Sequence, residues 1–250
     1  MEDSAGLIGF YEQAYSLAGP EADRYARWRS LSAIGKADHV IELCQRAGIE
    51  PASTLDVGCG DGALLAELRA RGFGGRLAGF EISEPAAAIA RSGVPDAEIA
   101  LFDGERLPLP DGAYELGILS HVLEHVPRPA ALLAEVARVC AAVVFEVPLE
   151  ANWSARRPAK RRHAAEIGHL QRLGRTQARA IAAGAGLTVV AELQDPLPLA
   201  VHRFFAEQGV DGARATAKWG LRAGLDRLAP ALARRVFTVH YACLCRRPGA

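Results

Sequence analysis

The sequence predicts an α/β protein: a doubly wound, mostly parallel, seven-stranded sheet with helices on both faces, a helical N-terminal cap and a helical insertion before the last strand. Three observations predict it. Short apolar runs alternate with amphipathic stretches from Ser53 to Val147. The fifth of these runs, Ala142–Val147, is β-branched and continuous, as a parallel strand buried on both faces is. A glycine-rich turn, Gly58-Cys59-Gly60-Asp61-Gly62, joins the first run to the first amphipathic stretch, so strand passes directly into helix.

The 250 residues are 50% hydrophobic and 23% charged, enough to bury a sizeable core in one domain. Residues 1–50 form the cap, 51–195 and 236–247 the core, and 196–235 the insertion. In the cap, Tyr11, Ala14, Tyr15 and Leu17 make one apolar face, which Gly19-Pro20 interrupts. Glu21–Ala47 is again helix-periodic, with a split near Gly35. Arg24, Arg27 and Arg29 read as a solvated face on a segment that as a whole covers a ligand cleft.

In the core, Ser53–Val57 is a strand and Ala63–Arg71 its helix. Gly75–Glu81 is the second strand. Ser83-Glu84-Pro85 starts a helix through Arg91, because serine caps well and proline suits the first turn. Ala97–Phe102 and Glu115–Ser120 are strands, Pro129–Cys140 a helix, and Ala142–Val147 the fifth strand. Past Pro148 lies a basic stretch, Arg156, Arg157, Lys160, Arg161 and Arg162, which reads as a solvated loop. Thr176–Ala185 is a helix with Thr176 as N-cap, and Leu187–Leu193 a strand. The insertion carries Phe204, Phe205 and Trp219 and helices near 200–208 and 213–233. Val236–Cys245 closes the sheet.

The turn is the most informative stretch. Its glycines at 58, 60 and 62 do not give the G-x-G-x-x-G spacing of a dinucleotide site. Asp56 and Asp61 are poor company for a phosphate. They suit a ligand with a positive end and a ribose, such as S-adenosylmethionine.

Leu55-Asp56-Val57-Gly58-Cys59-Gly60-Asp61-Gly62 resembles the first motif of the class I (Rossmann-like) S-adenosylmethionine-dependent methyltransferases. Glu81 ends the second strand 19 residues after Gly62, Asp103-Gly104 follows the third, and Ser120-His121-Val122-Leu123-Glu124-His125-Val126 follows the fourth, as in that family's small-molecule enzymes. The resemblance is close over 53–147, looser over the last two strands, and silent on 1–50 and 196–235. It implies S-adenosylmethionine as cofactor, with Glu81 on the ribose, Asp103 on the adenine amino group, and further donor contacts from Asp56, Gly58, Cys59, Gly60, Ile82, Gly104, Ser120 and His121. It implies methyl transfer to an oxygen or nitrogen of a small or medium-sized organic acceptor. An RNA or protein methyltransferase, or a donor-binding partner subunit without transfer activity, is the alternative.

Histidine is the natural base near pH 7. His121 and His169 are the catalytic candidates, with Glu150 and Asn152 as further acceptor contacts. His125 reads as structural, and His163 and His202 have weaker claims. His121-Val122-Leu123-Glu124-His125 also spells H-x-x-E-H, a zinc pattern on a helix. Pro127 and Pro129 break that helix, so no metal is expected. The five cysteines read as core thiols. The net charge of zero argues against a nucleic-acid partner, no apolar run reaches membrane-spanning length, and the N-terminus lacks a signal-peptide layout. A cytoplasmic location follows as an expectation.

Overall fold

The computed structural model describes residues 2–16, 19–206 and 212–249. Its centre is a sheet of β1 (Ser53–Val57), β2 (Arg76–Glu81), β3 (Glu98–Leu101), β4 (Tyr114–Ser120), β5 (Cys140–Pro148), β6 (Thr188–Asp195) and β7 (His240–Arg246). The strand order is β3-β2-β1-β4-β5-β7-β6. β1 to β5 pair in parallel, and β7 runs antiparallel between β5 and β6. The order reverses between β1 and β4. The crevice at their carboxyl ends is therefore where an open sheet takes its ligand.

Alternation along each strand sorts side chains to two faces. Leu116, Ile118, Ala142, Val144, Ala242 and Leu244 pack against Val40, Leu43 and Cys44 of α2 (Pro20–Arg46) and against α3 (Ala63–Ala70). Leu55, Val57, Val143, Phe145, Val147, Tyr241, Cys243 and Cys245 face the other way, toward Leu132, Leu133 and Val136 of α5 (Pro129–Val139). Full burial of each such aliphatic side chain is worth ~1.5–3 kcal/mol. The polar Asp56, Glu146 and His240 share strand parity with the α2 face. All five cysteines are buried free thiols.

Several expectations need correction. α2 is one unbroken helix; Gly35 permits close packing, since a Cβ there would stand 3.3 Å from Pro198 Cγ. The predicted apolar face of α1 (Glu2–Tyr15) is present up to Tyr15, whereas Leu17 lies outside the described residues. Ser83 caps α4 (Glu84–Gly93), accepting from Ala86 N at 3.4 Å. Thr176 does not cap α7 (Arg175–Gly184); Gly174 holds that position. The basic stretch is not a loop. After a 3-10 turn at Ser154–Arg156, Pro158 opens α6 (Pro158–Glu166), because proline presets a helical φ and lacks a donor that the first turn would leave unpaired.

The insertion holds α8 (Leu199–Ala206), α9 (Gly212–Leu228) and α10 (Pro230–Val236). Pro230 disfavours helical backbone at Ala229 and splits the predicted 213–233 helix. The last strand therefore begins at His240. The end of the predicted 200–208 helix lies outside the described residues. No described helix is long and apolar enough to cross a membrane.

Candidate functional site

β1 delivers the chain into the turn with Gly58 at φ 76° and Gly60 at φ 56°, both left-handed. Space forbids side chains there as well. A Cβ at Gly58 would sit 2.6 Å from Val122 Cγ2, and one at Gly60 2.5 Å from Tyr15 Oη. Across the turn, Glu81 accepts from Gly60 N at 2.8 Å through Oε2, and from Ile82 N at 2.8 Å and Ser83 N at 3.0 Å through Oε1. Burial raises its pKa above the usual carboxylate range despite these N–H groups. Asp56 is 2% exposed, and burial pushes it up to about 7, with Lys36 opposing and Glu81 adding. The Cys59 thiol is buried, and burial drives its pKa up.

The cap closes over this turn. Tyr15 of α1 stands above Gly60, and the Arg29 guanidinium lies 4.7 Å from the Tyr15 ring centroid. Arg29 Nε donates to Asp61 Oδ2 at 2.5 Å, so Arg29 is not merely solvated and part of the charge on Asp61 is compensated. Arg24 and Arg27 lie over the Phe204 ring of α8, at 5.7 and 5.6 Å.

A continuous cavity of about 1780 Å³ runs from this turn to the insertion. Its wall includes Asp56, Gly58, Cys59, Gly60, Glu81, Ile82, Asp103, Gly104, Ser120 and His121, so the structure brings all the expected donor residues together. Asp103 sits at the exposed rim. Its Oδ1 accepts from Arg106 N at 2.7 Å and Glu105 N at 2.8 Å, and these bonds lower its pKa. Ser120 Oγ is buried and without a hydrogen-bond partner.

The same cavity reaches the histidines. His121 follows β4 with φ 60°, a strained backbone for a residue with a Cβ. The H-x-x-E-H segment is a turn rather than a helix, so the zinc arrangement of that pattern is absent. His121 Nδ1 lies 3.0 Å from Glu124 Oε1; Nε2 lies 3.3 Å from Glu146 Oε1 and 3.1 Å from His240 Nδ1. Glu146 Oε2 lies 3.1 Å from His39 Nδ1, and His39 Nε2 is 3.3 Å from Asp195 Oδ2. Burial works against charge on His39, but the two carboxylates prevail and raise it to about 10. Burial and Lys36 pull His121 down, while Glu124 and Glu146 raise it overall. Burial opposes ionisation of Glu124, yet its bond to His121 holds it at about 2. Burial, then the charge on His121, lowers His240.

Sequence reasoning missed Glu146, His240, His39 and Asp195. A signal existed: a carboxylate and a histidine interrupt otherwise apolar strands that bury both faces.

His169 is placed differently. Its Nδ1 lies 2.8 Å from Glu150 Oε2, and its ring packs edge-on against His125 at 4.8 Å. His125 Nδ1 lies 3.1 Å from the Gly168 carbonyl, and burial lowers its pKa. Asn152 points elsewhere, bonding Leu149 O and Thr238 Oγ1 and thereby tying the chain just after β5 to the segment that leads into β7. His163 and His202 line the far wall with Lys160, Lys218 and Arg222. Desolvation, then the charges of Arg222, Lys160 and Arg157, lower the Lys218 pKa. Arg222 donates to Thr238 O at 2.5 Å, while its Nε is buried without a partner.

A family model described as a methyltransferase domain matches residues 25–192. A ubiquinone biosynthesis O-methyltransferase of Sodalis glossinidius is 34% identical over 126 residues, 46% of this chain and 50% of that one. A malonyl-[acyl-carrier protein] O-methyltransferase of Geobacter sulfurreducens is 30% identical over 107 residues, 42% of this chain and 40% of that one. The matched part spans half or less of the length of these curated relatives. Among solved structures, geranyl diphosphate C-methyltransferase from Streptomyces coelicolor A3(2) aligns over 99% of both chains with TM-score 0.68 and 14% identity. A possible histamine N-methyltransferase from Thermotoga maritima covers 96% of this chain and 99% of its own, with TM-score 0.64 and 14% identity. The [4+2]-cyclase SpnF covers 87% and 82%, with TM-score 0.59 and 18% identity. At these identities the likeness is one of fold.

Proposed function

The chain belongs to the methyltransferase-domain family, and from that premise we propose that it moves a methyl group from S-adenosylmethionine to an oxygen or nitrogen of a small or medium-sized organic acceptor bearing an anionic group. The observation that carries this reading is the Glu81 carboxylate, fixed across the glycine turn by three backbone N–H groups at the head of a cavity whose other end holds a histidine–carboxylate pair.

The residues fit the donor. A carboxylate offers about four acceptor positions. Three on Glu81 are filled from the protein, which leaves Oε2 for a ribose hydroxyl. Asp56, buried beside Glu81, gains a cation partner in the donor's positive end, and the side-chain-free turn lets backbone approach the ligand. When bound, the donor supplies an already activated methyl group. The protein's work is then to align the acceptor, exclude water and take a proton.

His169 is the base. Both ring nitrogens of His121 have partners within the network, whereas the described partner of His169 is at Nδ1 alone. Glu150 holds the Nδ1 proton and leaves Nε2 for the acceptor. As the acceptor gives its proton to Nε2, the carboxylate stabilises the imidazolium that forms. Lys160, Lys218 and Arg222 crowd one wall, where desolvation and then the neighbouring cations lower the Lys218 pKa. An anionic group on the acceptor relieves that crowding of like charge.

The test is calorimetric titration with S-adenosylmethionine and its demethylated product on the native chain, Asp56→Ala and Glu81→Ala, alongside assays for demethylated product with phosphorylated and carboxylated acceptors. Binding that weakens in both variants supports the reading. Unchanged affinity in both folded variants removes the donor site from this cavity.

A further inference from the structure

Methyl transfer leaves one cluster on the cavity wall unused. His121 Nε2 and His240 Nδ1 stand 3.1 Å apart, His240 Nδ1 and Glu146 Oε1 2.8 Å, and His121 Nε2 and Glu146 Oε1 3.3 Å. We propose that these three groups bind one divalent transition-metal ion, with its open coordination positions facing the cavity.

Spacing is the first argument. Nitrogen and oxygen ligands ~2.1 Å from such an ion lie about 3.0 Å apart at right angles and about 3.4 Å apart in a tetrahedron. The three separations fall close to that range, so one ion reaches all three atoms with little movement.

Protons serve the cluster poorly. His121 Nδ1 faces Glu124 Oε1 at 3.0 Å, so a neutral ring carries its proton there and turns a lone pair toward the cluster. His240 can send one proton to Glu146, which leaves the His121 lone pair facing a carboxylate oxygen. Placing the proton on His121 Nε2 instead leaves the His240 Nδ1 lone pair facing Glu146 Oε1 at 2.8 Å, and protonating both rings there sets two N–H groups against each other across the 3.1 Å contact. A cation accepts all three lone pairs at once.

Support from behind is the third argument. Metal-binding side chains are held by partners on their far atoms. Glu124 stands behind His121, and His39 bonds the other Glu146 oxygen while reaching Asp195. β4, β5 and β7 are adjacent strands, so the three ligands arise from a rigid frame. His121 and His240 line the cavity, whereas Glu146 is 2% exposed beneath them. An ion can therefore enter from the substrate side.

Two imidazoles and one carboxylate favour Zn²⁺, Co²⁺ or Fe²⁺ over Mg²⁺ and Ca²⁺, which prefer all-oxygen shells. An acceptor oxygen on the open side would lose its proton more readily; that use rests on the methyl-transfer reading, while metal binding does not. A second group, Glu124, His125 and His169, is looser, with Glu124 Oε1 4.0 Å from His125 Nε2.

The full chain, stripped with chelator and without donor, is titrated with Co²⁺ and Zn²⁺ while visible absorption, metal content after gel filtration and Tm are followed. One ion per chain is expected. His240→Ala should weaken Co²⁺ binding about 100-fold and His39→Gln about 10-fold, with His169→Ala unchanged. Donor titration on each variant reports folding and keeps failure of the donor site separate. Absence of Co²⁺ absorption together with absence of retained Zn²⁺ overturns the proposal. So does binding lost in His169→Ala but kept in folded His240→Ala, or Mg²⁺ binding as tightly as Zn²⁺.

Discussion

In the proposed function the cavity has a donor end at the glycine turn and an acceptor end at the histidines, and the two are built by different means. At the donor end, Glu81 is fixed by backbone N–H groups 1, 2 and 21 residues away, and the turn keeps its shape through glycines with positive φ. At the acceptor end, contacts join side chains separated by 94, 107 and 119 residues. Backbone geometry tolerates few sequences, so the donor end is written as a compact motif. Side-chain convergence across β4, β5, β7 and α2 can be met by many sequences, so the acceptor end leaves only scattered polar residues in apolar strands.

This contrast can be broken experimentally. The largest effect should come at the acceptor end: His169→Gln is expected to slow product formation by about 10²–10⁴-fold with donor affinity unchanged. A parallel fall in donor affinity, measured by calorimetry, would show that the two ends are not separable.

Next in size is Glu81→Ala. It removes the acceptor for three backbone donors and for the ribose. Hydrogen bonds to charged groups are worth ~1.5–3 kcal/mol, so donor Kd should rise roughly 10- to 150-fold. Product formation at saturating donor should change far less.

Asp56 sharpens the comparison through pH. Its folded pKa, about 7, lies above the ordinary 3.8. Its contribution to stability is therefore complete below pH 4 and is lost as pH rises through 7. Asp56→Asn should flatten the fall in Tm between pH 4 and 7. Donor affinity should move the other way, rising as the native carboxyl ionises, and that rise should vanish in the variant.

A smaller effect is expected at the cap. Gly60→Ala drives a methyl group into Tyr15 Oη and should weaken donor binding several-fold. Tyr15→Phe in the same chain should restore part of the loss, because the clashing atom is gone; the φ strain remains. Smallest is Arg222→Gln. It should raise KM for an anionic acceptor a few-fold and leave a neutral analogue unaffected, since one cation of several is removed.

The donor end was legible because its parts carry local constraints. Ser83 at the start of α4 and the alternation of apolar runs in β1 to β5 were readable from short windows. The acceptor end was legible only as a set of candidates. His121 and His169 stood out by position, but ranking them needed partners: Glu124, Glu146 and His240 engage one, Glu150 orients the other. Arg29 read as solvated because nothing local said that Asp61 lay opposite, whereas the 156–162 stretch is exposed as expected and only its helical form, with Lys160 on the cavity wall, went unread.

The sequence by itself determined the layered α/β sheet, the glycine turn and the acids that frame it, since periodicity, φ and spacing act over a few residues. The tertiary structure alone decided that β5, β7 and α2 bring Glu146, His240 and His39 beside His121. Those meetings depend on strand order and on which face each side chain takes. Both are set by burial across the whole chain.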